Sequence, residues 1–235
     1  MTTTAIAAIE SQTLVTSVLE IDGATVCGAR GAVFGPLDAS SSAPITVVLG
    51  NRGSGRTSLL LAAAGRMRIN KGTVRVFGID ANTRAADVRR LTGIAGFDAI
   101  DLLESEATVA EAVRERVTWI APWYRRVRHL RHADVAQILQ PVFGPMTAPD
   151  ARCLVRDMTE AQELLLRITL ALLEGPRMVL VDDLDDVKDP CERAAVADRL
   201  TALAQAGTFF VVGSADERDL NLFSPQSRAI VTLGR

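Results

Sequence analysis

Ile45-Thr46-Val47-Val48-Leu49-Gly50-Asn51-Arg52-Gly53-Ser54-Gly55-Arg56-Thr57-Ser58 is the stretch from which the fold is read. Its first five residues form an unbroken run of β-branched and apolar side chains, the pattern of a strand covered on both faces. A glycine-rich turn follows at once, and the spacing beyond it predicts a helix over 58–67. The same grammar returns downstream. Met178-Val179-Leu180-Val181 follows the breaker Gly175-Pro176 and ends in Asp182-Asp183-Leu184-Asp185-Asp186. Helical spacing then covers 192–206, and Phe209-Phe210-Val211-Val212 leads into Gly213-Ser214. Strands alternating with helices predict an α/β protein with a mostly parallel sheet.

The flanking segments are less regular. Residues 19–21 and 25–27 read as short edge strands, with a Gly/Ser/Ala-rich turn region over 28–42. Asn70-Lys71-Gly72 is a turn signal ahead of a hairpin-like pair, 72–77 with Gly78 as its turn. From 108 to 139 the apolar spacing is helical, broken at Ala121-Pro122. Pro141, Gly144, Pro145 and Pro149 mark an irregular stretch before a helix over 159–173. These helices read as an insert.

Composition narrows the function classes. At 235 residues the chain holds between one and two domains at about 150 residues each. A 48% hydrophobic and 23% charged composition is that of a globular chain, and 26 basic against 28 acidic side chains leave no bulk charge to wrap nucleic acid. No nucleic-acid partner is therefore expected. Cys27, Cys153 and Cys191 are scattered, which reads as reduced thiols in a cytoplasmic protein rather than a metal site. The amino terminus lacks the basic region of a signal peptide, and no apolar run approaches the roughly 20 residues of a spanning helix.

The loop at Gly50 carries chemistry. Glycines let consecutive backbone N–H groups converge on one concavity, the helix amino end adds positive potential, and Thr57 can ligate a magnesium ion. This is the arrangement of a phosphate-binding P-loop with Arg56 where lysine is usual. Guanidinium is planar, bulky and bidentate, so the replacement changes the chemistry. A glycine-rich turn without a ligand is the plain alternative. Asp182, at a strand end, suits a group holding Mg²⁺ through water, or is a solvated strand-end carboxylate. Asp183 is either a general base or an acidic cap on a loop that also carries Asp185 and Asp186.

Met158-Thr159-Glu160-Ala161-Gln162, a helix, Gly175-Pro176, the strand ending in Asp182-Asp183, and Asp189-Pro190 together resemble the signature, second phosphate motif and D-loop of the ATP-binding cassette ATPases. Gly72-Thr73-Val74-Arg75-Val76-Phe77-Gly78 and Thr108-Val109-Ala110-Glu111-Ala112-Val113 look like two further motifs of that family. The resemblance covers roughly 19–216. It implies a RecA-like P-loop NTPase core formed by 1–97 and 166–235, with a β-rich amino-terminal part and an inserted α-helical subdomain at 98–165. It further implies ATP and Mg as cofactors. The nucleotide-contacting positions it implies are Gly50, Asn51, Arg52, Gly53, Ser54, Gly55, Arg56, Thr57, Ser58, Thr159 and Gln162; those at the metal are Thr57 and Asp182.

Several positions depart from the family pattern. Glu160 and Ala161 replace the signature glycines, Phe97 falls at the Q-loop glutamine with Asp98 beside it, and Ser214 falls at the switch histidine. No adenine-stacking aromatic stands near Val26, and Asp183 holds the place of the catalytic glutamate. The resemblance therefore implies an ATP-binding subunit of a membrane transporter with weak or absent hydrolysis. It would pair with a membrane-spanning subunit and a second cassette subunit, peripheral to the inner face of the cell membrane. A non-hydrolysing regulatory or structural cassette is the alternative. Arg114, Arg116, Trp119, Trp123, Tyr124, Arg125, Arg126, Arg128 and Arg131 interleave basic and aromatic side chains in the insert, as a docking surface or as a solvated helix with one aromatic face in the core. His129 and His132 beside them read as surface residues.

Overall fold

The computed structural model describes residues 17–28, 31–98, 100–124 and 130–234. Two sheets organise them. An antiparallel sheet in the order β2-β1-β4-β5 is built from β1 (Leu19–Gly28), β2 (Gly31–Ser41), β4 (Lys71–Val76) and β5 (Ile79–Asp80). A wholly parallel sheet in the order β6-β7-β8-β3-β9 holds β3 (Ile45–Leu49), β6 (Thr92–Ala95), β7 (Met178–Val181), β8 (Phe209–Ser214) and β9 (Arg228–Thr232). The helices are α1 (Arg56–Ala63), α2 (Ala85–Leu91), α3 (Val109–Ile120), α4 (His132–Phe143), α5 (Glu160–Leu172) and α6 (Pro190–Gln205).

The apolar runs of the central strands divide between two cores by the two-residue period of a strand. From β3, Ile45, Val47 and Leu49 enter one core and Val48 the other. From β7, Val179 and Val181 join the first while Met178 and Leu180 join the second; β8 splits in the same way. The first core lies against α3, α4, α5 and α6, and the second against α1 and the antiparallel sheet. Because the central strands are sandwiched on both faces, their ends, and not their faces, are left to carry a site.

Several expectations are corrected. The stretch 28–42, expected as a turn region, contains β2, an 11-residue strand. Its pairing with β1 satisfies the backbone hydrogen bonds that a Gly/Ser-rich composition leaves unspecified. The two short edge strands are one bulged strand, β1. The helix after the glycine loop starts two residues earlier, at Arg56, and stops at Ala63, where Gly65 at φ 66° leaves the helical region. Pro141 sits inside the last turn of α4 rather than beyond it, and α6 starts at Pro190, where a missing N–H costs nothing. The hairpin at Gly78, the strands at 178–181 and 209–212 and the break near Pro122 lie where expected.

Candidate nucleotide-binding site

β3 delivers Gly50 to the carboxyl edge of the parallel sheet, where Gly50 N–H donates to Ser214 O at 3.3 Å. A Cβ on Gly50 would collide with the Ser54 hydroxyl, so the tight fold-back of the loop requires glycine there. Gly53 and Gly55 have φ of 83° and 91°, in the left-handed region that favours glycine. A Cβ on Gly55 would also lie 2.9 Å from Val33 O and Phe34 Cβ of β2, which backs the loop.

The helix amino ends differ in what satisfies them. Thr108, Thr159 and Asp189 cap α3, α5 and α6 with side-chain oxygens. α1 opens on Gly55, has no side-chain cap and carries no acidic residue in its first turn. Its first N–H groups thus have no local acceptor. The Ser54 hydroxyl beside them is buried with no hydrogen-bond partner among the described residues. Unpaired donors at a helix amino end behind a buried hydroxyl are the donor set an anionic phosphate completes, so the residues present fit a nucleotide phosphate.

Asp182 follows the last residue of β7 and is 2% exposed. Burial pushes its carboxyl up to about 6, while the Thr57 hydroxyl beside it works in the opposite direction. Its Oδ1 accepts from Asp183 N–H at 3.1 Å. A buried carboxylate short of positive partners and facing a hydroxyl suits a divalent cation, and Thr57 and Asp182 are brought together as that requires.

Arg56 is 5% exposed and does not project freely into the cleft. Its Nη2 donates to Asp183 Oδ1 at 2.6 Å and its Nη1 to Asp185 Oδ1 at 3.2 Å. Asp183 takes up φ 47°, left-handed for a non-glycine residue, and burial raises its carboxyl above the usual range, opposed by Arg56. Arg52 pairs with Asp186 at 2.9 Å. A cleft of about 470 Å³ lies over the loop, lined by Arg52, Arg56, Thr57, Asp98, Asp183 and Asp186 among others.

The remaining positions named from sequence lie as follows. Thr159 and Gln162 close a capping box on α5: Thr159 Oγ1 accepts from Gln162 N–H at 3.3 Å and Gln162 Oε1 from Thr159 N–H at 3.2 Å. Glu160 binds Lys188, Oε1 accepting from Nζ at 2.5 Å and Oε2 from the backbone N–H at 2.7 Å. Glu160 and Lys188 line a second cleft of about 400 Å³ with Arg52, Asp182 and Asp183, so the amino end of α5 borders the loop's own surroundings. Phe97 is buried in the second core. The Ser214 hydroxyl donates to Asp219 Oδ2 at 2.5 Å.

The reading of the sequence missed Arg167 and Asp101. Both are 8% exposed at the side chain. Arg167 donates to Asp101 at 2.6 and 3.1 Å and to Asp98 at 3.2 Å, while Asp101 accepts the N–H groups of Gly96 and Phe97 at 3.0 and 2.6 Å. This ties the loop after β6 to the middle of α5. The signal available was a lone arginine in the apolar run Leu164-Leu165-Leu166-Arg167-Ile168. On α3, Arg116 pairs with Glu174 and lies over Trp119, while Arg131 at the start of α4 pairs with Asp134. Trp119, Trp123 and Tyr124 are exposed, which removes the reading that puts that aromatic face in the core. Arg125, Arg126, Arg128 and His129 lie outside the described residues. His132 is half-exposed, 3.3 Å from Asp150.

A parallel five-stranded sheet in which β3, between β8 and β9, runs into a glycine loop and helix defines a P-loop NTPase fold. The family model described as ABC transporter matches residues 40–185. The chain belongs to this family. Among curated proteins it is 29% identical over 159 residues to the ribose import ATP-binding protein RbsA of Cereibacter sphaeroides, covering 64% of this chain and 31% of that protein. It is 23% identical over 164 residues to the phosphonates import ATP-binding protein PhnC of Nitratidesulfovibrio vulgaris, covering 68% and 62%. The chain thus spans less than two thirds of either relative. Of solved structures, MJ1267, an ATP-binding cassette of an ABC transporter, superposes with a TM-score of 0.73 at 15% identity over 93% of this chain and 90% of that one. The cassette cbiO1 from Clostridium perfringens gives 0.69 at 13% identity over 93% and 87%. At these identities the likeness is one of fold.

Proposed function

We propose that the chain is the ATP-binding subunit of a membrane transporter complex and that it hydrolyses ATP slowly. The observation that carries the binding half is the amino end of α1, which has neither side-chain cap nor acidic residue and sets the exposed Thr57 beside the buried Asp182. In this reading the backbone of 50–57, with Ser58 in the first turn, holds the phosphates, and Thr57 and Asp182 hold Mg²⁺. When bound, Mg²⁺ would neutralise phosphate charge. Thr159 and Gln162 would face the nucleotide of a second cassette subunit.

Slow hydrolysis is supported by how the remaining groups are engaged. Asp183, the candidate base, is paired with Arg56; the Ser214 hydroxyl is committed to Asp219; Phe97 offers no polar atom; and Glu160 sets a carboxylate where the signature would meet a phosphate. Losing one charge-stabilising contact in such chemistry costs about 10²- to 10³-fold, and these losses fall together.

The membrane-spanning partner would dock on the exposed side chains of Ile100 and Leu102 in the loop before α3, Trp119 and Ile120 at its end, and Trp123 and Tyr124 just beyond it. Among the described residues no helix is long and apolar enough to cross a membrane, so attachment at the inner face would come through that partner. Isothermal titration with ATP and ADP in Mg²⁺ tests the reading: saturable binding is expected, and no saturable heat at millimolar ligand overturns it in favour of a structural cassette.

A further inference from the structure

We propose that Asp185, together with Asp183, sets the affinity of the phosphate loop by holding its cation, so that nucleotide enters by exchanging carboxylate for phosphate at the Arg56 guanidinium. This rests on the nucleotide-binding reading above. Three observations carry it. First, Arg56 is 5% exposed and donates through separate nitrogens to both carboxylates, at 2.6 and 3.2 Å. Second, Asp185 is fixed from behind, since its Oδ1 also accepts the Ala215 N–H at 2.9 Å where β8 ends. It is a rigid acceptor, 12% exposed at the side chain, and not a loop carboxylate that happens to swing near. Third, Arg52, the other cation among the described residues lining the cleft, is engaged by Asp186. Three carboxylates therefore answer two guanidiniums before any phosphate arrives.

The physical consequence follows from charge. Among the described residues, both cations that line the cleft, Arg52 and Arg56, are already paired when a polyphosphate approaches the loop. To gain Arg56 it displaces a half-buried carboxylate, which is left close to the incoming negative charge and repels it. Asp183, 31% exposed at the side chain, is the partner that gives way, while Asp185 retains one Nη. The five N–H donors of a guanidinium allow this partial exchange, which the single ammonium of a lysine would resolve differently.

The test replaces both carboxylates by the isosteric amide. Asp183→Asn keeps an acceptor and suits φ 47°, a conformation that asparagine tolerates better than most residues. Asp185→Asn keeps the acceptor for Ala215. Titration of wild type and the double variant with ATP and with inorganic tripolyphosphate should show at least tenfold tighter binding of both ligands to the variant, about 1.4 kcal/mol. Wild-type binding that the variant does not tighten overturns the proposal and leaves the nucleotide reading standing. No saturable binding by either protein overturns both. A ligand-free double-mutant cycle of Arg56→Met and Asp185→Asn by urea unfolding supplies a second readout. Coupling of about tenfold or more in the unfolding constant is expected, and its absence overturns the clasp irrespective of ligand.

Discussion

Asp182 shows what burying one carboxylate does to stability. Its folded-state value of about 6 stands above the ordinary aspartate value, so the native chain binds the proton more tightly than the unfolded one. The stability this contributes is complete below about pH 4 and is lost as pH rises through 6. Asp182→Asn removes the penalty and keeps an acceptor for Asp183 N–H. The variant is expected to be more stable than wild type at pH 7.5, by on the order of 2 kcal/mol without nucleotide, and no more stable at pH 4. Urea titrations at the two pH values check this. Gly213 is matched to the same carboxylate, for a Cβ there would lie 2.9 Å from Asp182 Oδ1.

At the scale of elements, the Arg167–Asp101 pair joins α5 to the loop that follows β6. Removing the arginine leaves Asp101 buried with only two backbone donors. Breaking a buried pair from one side costs about 3–5 kcal/mol, and Arg167→Ala should lose that much in urea unfolding. Glu160 and Lys188 make a second link, from the amino end of α5 to the segment before α6. Their side chains are 46% and 79% exposed, so this link adds little stability. The two contacts look alike on paper, and solvent decides between them.

For the whole molecule, both predictions concern assembly. Trp119 and Trp123 bury little of their area in this chain, so replacing both by alanine is expected to leave the unfolding midpoint within about 0.5 kcal/mol of wild type. Under the proposed function, the same change should abolish recovery of the chain with a membrane-spanning subunit from detergent extracts. Parallel thermal scans and affinity purification separate these effects. In a complex with a second cassette subunit bearing a catalytic carboxylate, Asp183→Asn should lower the ATPase rate by less than tenfold. A larger loss would return Asp183 to the role of working base.

The central strands, the glycine loop and the order of the motifs were legible because each is a local pattern: an apolar run between breakers, glycines at fixed spacing, an Asp-Pro helix start. β2 was not, since its Gly/Ser/Ala composition carries no strand preference and only pairing with β1 extends it. Neither α2, β6 nor β9 was read, being short and dependent on neighbours for burial. Sequence by itself determined that a strand runs from Ile45 into a phosphate-shaped turn with arginine at 56. Only the tertiary structure decided where that arginine points, because Asp183 and Asp185 are more than 120 residues away and reach it across the sheet edge. Sequence spacing fixes which groups a turn can present, but whether a charge there is free or already neutralised depends on contacts between strands that chain order does not encode.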